Sequence, residues 1–523
     1  MPRASRRSLA GALAAAGILA VAGVAGLGGS HRTSAHERTA PPLEAPVRTI
    51  PGGALTVTVG RRTTGRPIPA GFLGLSLEYP AVEAYAGRDP GAVNPVLVQL
   101  IRNISPGQQP NLRIGGDTTD WTWWPVPGMA KPPGIRYSLG RRWLHVVAAL
   151  THTLGARLIL GINLELNSQA AARTEARAMI AGLGGSSIEA LELGNEPELY
   201  GSFSWYRLAN GRHVTGRPAG YDWGAFQEDF ARISAALPGI PLAGPATGAP
   251  NWIPELGRFL PAQPRVRVAT LHRYPLQRCF MPAASAMYPS VAHLLSPTAS
   301  RGLADSVARY VVMSHARHVA LRIDEMNSVS CAGAPGISNA FVSSLWALDA
   351  VFQMARVGVD GVNFHTFPRA RYELFDFTRR QGRWRGYVAP EYYGLLMFAQ
   401  AAPPGAELLK VSGARDNVRA WATRAPDGST RVVLINDYTT RSRTVAVRIA
   451  GAGGPATLER LRSRGLTART GVTLGGQTFG TATTTGTLAG RSTVTTVKAT
   501  QGAYVLSLPR ASAAMLTLPA PPA

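Results

Sequence analysis

The most regular pattern in the chain is an alternation of short apolar runs and amphipathic stretches of helical length across residues 70–402. Such alternation is typical of repeated βα units around a parallel sheet. Eight units are present, which predicts a (β/α)8 TIM barrel. The predicted strands cover residues 71–79, 111–117, 157–165, 188–196, 241–247, 268–274, 321–327 and 361–367. The predicted helices cover residues 94–103, 141–154, 169–182, 223–236, 252–259, 302–316, 338–357 and 391–402.

A different pattern follows the barrel. Residues 403–523 are rich in Thr, Val and Gly, and their polarity alternates without a helical period. This alternation predicts a C-terminal antiparallel β-sandwich domain. Residues 53–69, which precede the barrel, also read as strand, and we expect them to join the β domain. The fold class is therefore α/β, with a catalytic-type barrel over residues 70–402 and a second, smaller β domain.

The N-terminus predicts export. Arg3, Arg6 and Arg7 precede an apolar stretch over residues 9–28, so residues 1–35 read as a signal peptide. Residues 36–52 are polar and then Pro-rich, which indicates a flexible linker. The expected location is secreted or extracytoplasmic, without stable membrane insertion after cleavage. The alternative is an uncleaved segment that tethers the protein to the cell surface, because the apolar run approaches the length that spans a bilayer.

Export bears on the two cysteines, because a disulfide persists outside the cytoplasm. We therefore expect Cys279 and Cys331 to pair, the alternative being two separately buried thiols. The net charge of +24 allows an acidic polymer as partner. Only three of the 54 basic residues are lysines, however, and such a skew also arises from GC-rich coding. No basic run is interleaved with aromatic residues, so nucleic-acid binding is not expected.

Polar residues stand at the ends of most predicted strands, where barrel enzymes carry their chemistry. Glu196 ends the fourth strand in LELGNEPELY, and Pro197 stops that strand. Asn195 immediately precedes Glu196, and its side-chain amide can donate a hydrogen bond to a sugar 2-hydroxyl. The other polar strand ends are Glu78, Asp117, Glu165, His272, Glu325, Asn327 and His365.

A glycosidase needs a second carboxylate, and the seventh strand supplies Asp324 and Glu325. Adjacent strand residues point to opposite faces, so only one of them faces the barrel mouth. We predict that Glu325 faces the barrel mouth and that Asp324 faces the surrounding helices; the reverse orientation remains the alternative. Glu196 then acts as acid/base and Glu325 as nucleophile in a retaining double displacement. No cofactor is required, and no metal-ligand motif such as HExxH is present.

The chain resembles glycoside hydrolase family 79, the β-glucuronidase and heparanase family of clan A. The resemblance rests on GLSLEYP (74–80), LRIGGDTTD (112–120), LELGNEPELY (191–200), the HxY of 272–274, DEMNSVSCAGAPGISNAFVSSLWALD (324–349) and GVNFHTF (361–367). It implies the same roles for Glu196 and Glu325, and a hydrogen bond from Tyr274 to Glu325. It also implies that Asn195, Glu78, Asp117 and His365 contact the substrate, and we add Asn327 to that set. A disulfide between Cys279 and Cys331 would then brace the wall beside the nucleophile.

The resemblance further implies a substrate that contains β-linked glucuronic acid. Arginines near the mouth could bind its carboxylate: Arg113, Arg273, Arg278, Arg369 and Arg371. We expect an exo-acting β-glucuronidase that removes glucuronic acid from polysaccharides or glycoconjugates. The alternatives are an endo-acting heparanase-like enzyme, a β-glycosidase for a neutral sugar and, outside enzymes, a secreted carbohydrate-binding protein.

Overall fold

A computed structural model describes residues 41–45, 47–415 and 417–520. The predicted signal peptide and the first residues of the predicted linker lie outside this part of the chain. Within it, no helix is both long enough and apolar enough to cross a membrane.

Eight parallel strands close into a barrel, which confirms the predicted fold class. The eighth strand pairs with the first, so the sheet has no free edge. Apolar side chains on one face of each strand pack against the helices, and Ile159, Ala190, Ala243 and Val268 form a separate apolar layer. The strands are β1 (Leu73–Glu78), β2 (Asn111–Gly115), β3 (Arg157–Ile162), β4 (Ile188–Leu193), β5 (Leu242–Thr247), β6 (Val266–Arg273), β7 (Ala320–Met326) and β8 (Gly361–Thr366).

Helices follow every barrel strand, and all eight predicted helices are present with ends displaced by a few residues. One further helix follows β1 directly, with Pro80 in its first turn, where a missing N–H is tolerated. Its absence from the predicted set reflects the lack of any loop between strand and helix. The main helices are Tyr79–Ala86, Pro95–Ile104, Arg141–Leu154, Gln169–Leu183, Trp223–Ser234, Leu256–Ala262, Leu303–His315, Phe341–Val357 and Pro390–Ala401.

The C-terminal domain contains a largely antiparallel sheet that also includes the N-terminal strand Leu55–Thr64. That strand pairs antiparallel with Glu407–Ser412 and parallel with Arg443–Ile449. One apolar cluster draws side chains from both ends of the sheet, so the sheet folds over a shared core as a sandwich does. The remaining strands are Val418–Arg424, Thr430–Asn436, Ala456–Arg462, Thr473–Leu474, Thr495–Val497, Tyr504–Leu508 and Ser512–Leu518.

The β domain packs on helices of the barrel. Trp421 stacks on Phe352 of helix Phe341–Val357, with ring centroids 5.3 Å apart. Its indole N–H donates to Asp349 Oδ1 at 2.8 Å. The β domain therefore supports this helix of the barrel.

Candidate active site

Glu196 stands just beyond β4, where the chain leaves the barrel. Its φ of 45° lies in the left-handed region, which non-glycine residues adopt uncommonly. The backbone N–H of Glu196 donates to the carbonyl of Ala246 at 2.9 Å, and this bond fixes the turn. The side chain is about a quarter exposed, so Glu196 faces the barrel mouth and can reach a substrate.

Glu325 faces the same mouth, but the reason differs from simple strand alternation. The pairing register between β6 and β7 shifts between Thr270 and His272, and that of β7 with β8 shifts between Ile323 and Met326. A bulge re-aims side chains. As a result Asp324 and Glu325 both contact the buried guanidinium of Arg113. The expectation that Asp324 turns toward the helices is therefore wrong: it points into the barrel.

The two glutamates are close enough to act on one bond. One carboxylate oxygen of Glu196, one of Glu325 and one ring nitrogen of His272 all lie within 4.8 Å of one another. Such a triad could in principle hold a cation. Its donor atoms are already engaged, however, since His272 Nδ1 lies 3.0 Å from Glu196 and Arg113 donates to Glu325. A cationic guanidinium beside the triad also disfavours a metal ion.

Arg113 organises the floor of the site. It is fully buried in β2, and its Nε lies 2.6 Å from Glu192 and 3.0 Å from Asp324. Its other nitrogens donate to Glu325 Oε2 at 2.6 Å and Asn195 Oδ1 at 2.9 Å. A buried guanidinium with these acceptors holds the nucleophile and the sugar-binding amide in fixed positions.

Positive charge keeps the Glu325 carboxylate ionised. Burial alone would raise its pKa, but His365, His272 and Arg113 outweigh burial and hold the pKa well below its usual range. Burial likewise disfavours charged His272, yet Glu325, Asp324 and the bond to Glu196 raise its pKa to about 10. Glu325 is thus unprotonated near neutral pH, as a nucleophile must be.

Tyr274 donates its hydroxyl to Glu325 Oε1 at 2.8 Å, the contact that the family resemblance implies. Burial and then the negative charge of Glu325 raise the pKa of Tyr274 well above its usual value, so its proton stays on. Tyr372, in the segment after β8, packs near Tyr274 with ring centroids 6.2 Å apart. The two oxygens of Glu325 are therefore held by different donors, Arg113 and Tyr274.

The remaining predicted substrate contacts line one side of the mouth. Glu78 accepts from Thr118 N at 2.9 Å and faces His365 Nε2 at 3.3 Å. Asp117 is exposed to solvent but crowded by other acids. Partial displacement of water by neighbouring atoms, and then the charges of Glu78 and Glu196, raise its pKa.

Asn195 lies between Arg113 and Asp117. Its Oδ1 accepts from Arg113, and its Nδ2 lies 3.4 Å from Asp117 Oδ1, which leaves amide hydrogen-bonding capacity for a sugar hydroxyl. Buried Asp120 fixes this geometry. Its carboxylate accepts from the backbone N–H groups of Leu164, Glu165 and Asn195 and from the Tyr200 hydroxyl.

Three predicted site residues are corrected by the structure. Asn327 is fully buried, donates to the His365 carbonyl and accepts from Ser328, so it positions β8 and does not line the mouth. Arg113 forms ion pairs with buried carboxylates, so its guanidinium cannot bind a substrate carboxylate. Arg273 donates to Ser306 on helix Leu303–His315, on the outside of the barrel, because β6 alternates at that position.

The other mouth arginines lie on joined loops. A disulfide links Cys279 and Cys331, which confirms the predicted pairing. Arg278 donates to the Gly333 carbonyl at 3.2 Å, and the backbone N–H of Arg371 donates to Ala332 at 2.6 Å. The loops after β6, β7 and β8 thus form one continuous wall beside the nucleophile.

Sequence reasoning missed the structural roles of Arg113, Glu192 and Asp120. A signal was available for the first two, since each is a charged residue within an apolar strand, and buried charges require partners. Asp120 stands in LRIGGDTTD, but nothing local indicates that it bonds to the ends of β3 and β4. Tyr372 follows β8 in an irregular segment and carried no pattern at all.

Comparisons with known proteins found similar sequences. Residues 420–515 match the glycosyl hydrolase family 79 C-terminal beta domain. A β-glucuronidase of Aspergillus niger is 22% identical over 519 residues, covering 86% of this chain and 91% of that protein. A β-glucuronidase of Neurospora crassa is 23% identical over 399 residues, covering 67% of each chain.

Solved structures share the fold. A 4-O-α-L-rhamnosyl-β-D-glucuronidase from Fusarium oxysporum superposes with a TM-score of 0.69 at 20% identity, covering 88% of this chain and all of that one. A family 51 arabinofuranosidase from Xanthomonas axonopodis superposes with a TM-score of 0.60 at 16% identity, covering 88% and 99%.

The barrel, the β domain and the curated relatives together support the class of protein, a glycoside hydrolase. The match of residues 420–515 and the two β-glucuronidase relatives support glycoside hydrolase family 79. These relatives favour a hydrolase over a protein that only binds carbohydrate.

Proposed function

We propose that this enzyme is a secreted, retaining, exo-acting β-glucuronidase, with Glu325 as nucleophile and Glu196 as acid/base. The observation that carries the proposal is that one carboxylate oxygen of Glu196 lies within 4.8 Å of one carboxylate oxygen of Glu325 at the barrel mouth. Retaining glycosidases hold their carboxyl groups about 5–5.5 Å apart, whereas inverting enzymes leave room for a water molecule between them.

The proposed mechanism is a double displacement. Ionised Glu325 attacks the anomeric carbon while Glu196 gives its proton to the glycosidic oxygen, which leaves with the aglycone. The sugar is then an ester of Glu325. Glu196 next takes a proton from water, whose oxygen attacks the same carbon and releases the sugar with retained configuration. Arg113 and Tyr274 hold Glu325 in place, and Asn195 binds the 2-hydroxyl, a contact that strengthens in the transition state.

Preference for glucuronic acid rests on the relatives, two of which are β-glucuronidases, and on Arg278 and Arg371. Both arginines are exposed and contact the turn that follows Cys331, on the wall beside the nucleophile, which makes them the candidates to bind a substrate carboxylate. A β-glycosidase for a neutral sugar is the competing proposal, because the fold alone also occurs in an arabinofuranosidase.

Exo action is supported by the joined loops. The disulfide and the bond from Arg371 to Ala332 link three successive loops into one wall on the nucleophile side. A continuous wall suits a closed pocket for a terminal sugar better than an open cleft for a polymer. Secretion is supported by the disulfide.

The test is hydrolysis of p-nitrophenyl β-glycosides by the full chain and by Glu196→Gly and Glu325→Gly, with exposed Glu228→Gln as control. We expect turnover of the β-glucuronide and a loss of at least about a hundredfold in both glycine variants. Added azide should give the β-glycosyl azide with Glu196→Gly and the α-glycosyl azide with Glu325→Gly. The opposite pairing would overturn the assigned roles, and turnover of a neutral glycoside alone would overturn the substrate.

A further inference from the structure

Two half-exposed phenylalanines meet at the barrel mouth. Phe203 lies in the segment after Glu196, and Phe280 follows Cys279 in the segment after β6; each is 48% exposed. Their ring centroids are 5.6 Å apart and their planes are tilted by 58°. Single exposed apolar residues are common, but two aromatic rings from distant segments in contact beside a site indicate a binding surface.

Phe203 lies beside the catalytic centre. It lines a recess together with Glu196 and Asn195, and the further walls of this recess include Trp121 and Trp205. Neither Glu325 nor Tyr274 belongs to this recess. Asn195, which we assign to the 2-hydroxyl of the retained sugar, also lines the recess, so the recess begins at the bond that is cleaved. Because Glu196 touches the oxygen of the departing group and Glu325 does not line the recess, the part formed by Phe203 and Trp205 lies on the leaving-group side.

The polar lining of the recess suits sugar hydroxyls. Burial, and then the charge of Asp120, raise the pKa of Glu165 to about 9. Glu165 is thus mostly protonated near neutral pH and offers one O–H donor beside its acceptor oxygens, and exposed Asp117 adds acceptor oxygens. Aromatic faces with neutral donors and acceptors favour a pyranose ring over an apolar peptide or a charged group.

We propose that Phe203, backed by Phe280, forms a subsite that binds the first sugar ring of the leaving group, so that the enzyme selects saccharide aglycones. This inference deepens the proposed function and rests on it for the identity of the retained sugar. The recess and the phenylalanine pair then act on specificity, without a part in bond cleavage itself.

The experiment compares methyl β-glucuronide with glucuronosyl-glucose disaccharides of β-1,3, β-1,4 and β-1,6 linkage. We expect the wild type to prefer at least one disaccharide over the methyl glycoside in kcat/KM. Phe203→Ala should reduce kcat/KM for that disaccharide about tenfold or more, mainly through KM, and change the methyl glycoside less than threefold. Phe280→Ala should act in the same direction more weakly, and Phe203→Tyr should keep the preference.

Val312→Ala is the matched control, since Val312 is an exposed apolar residue on helix Leu303–His315. A second readout is transfer from p-nitrophenyl β-glucuronide to glucose, in which a glucose hydroxyl replaces water and loses its proton to Glu196. Phe203→Ala should lower the ratio of transfer to hydrolysis.

Equal losses on both substrate classes, an unchanged disaccharide rate in Phe203→Ala, or a wild type without any disaccharide preference would each overturn the subsite. If the wild type cleaves no glucuronide, the proposed function fails separately. The same comparison is then made with methyl and disaccharide glycosides of the sugar that the p-nitrophenyl panel identifies.

Discussion

Replacing Tyr274 by phenylalanine isolates one of the two donors that hold the nucleophile. The ring keeps its place beside Tyr372, while Glu325 Oε1 loses a hydrogen bond of 2.8 Å. A hydrogen bond to a charged acceptor contributes about 1.5–3 kcal/mol. If the hydrogen bond stabilises the transition state by that amount, its removal lowers kcat/KM roughly ten- to hundredfold.

The same change alters the pH dependence in a predictable direction. The hydrogen bond from Tyr274 helps to lower the pKa of Glu325, after the larger effects of His365, His272 and Arg113. Its loss therefore raises that pKa, and the acidic limb of the kcat/KM profile moves to higher pH. The assay is hydrolysis of an aryl glycoside across the pH range, with exposed Tyr137→Phe as control. An unshifted acidic limb together with wild-type kcat/KM would refute the role assigned to Tyr274.

Four further predictions concern stability and specificity. Asp120→Asn replaces one carboxylate oxygen with an NH2 group, which cannot accept the hydrogen bonds that Asp120 receives from three backbone N–H groups and the Tyr200 hydroxyl. We therefore expect the free energy of unfolding in urea to fall by about 3 kcal/mol; a loss below 1 kcal/mol would contradict this. Removing the disulfide with Cys279→Ser and Cys331→Ser opens a loop of 52 residues and should cost about 4 kcal/mol in chemical unfolding, and reductant should destabilise only the wild type. Folded His272 keeps its proton to about pH 10, so wild-type stability should fall as pH rises from about 6.5 toward 10, at up to about 1.4 kcal/mol per unit from this group; urea midpoints of His272→Gln should lack that part of the slope. Arg371→Gln should lower the ratio of glucuronide to glucoside turnover about tenfold or more, and an unchanged ratio would exclude Arg371 from carboxylate binding.

The sequence alone determined the architecture of this protein. Apolar runs of strand length, separated by helical periods, leave few ways to bury their surfaces other than a closed parallel barrel. It also placed Glu196 and Glu325 at the mouth, because polar residues that end buried strands of such a barrel all emerge at one face. The family resemblance, carried by several motifs in order, pointed to the same two residues.

Only the tertiary structure decided how the charges are arranged beneath that face. Because neighbouring residues of a strand face opposite sides, Glu325 would point away from the barrel interior when Asp324 points into it. The register shifts in β7 turn Glu325 back toward the barrel mouth. Arg113 was expected to meet a substrate, yet it pairs with Glu192, Asp324 and Glu325. Such pairings join strands that are far apart in sequence. Their geometry depends on bulges and side-chain packing, which no local pattern of residues records, because buried charges are satisfied by whichever partners the closed barrel brings within reach.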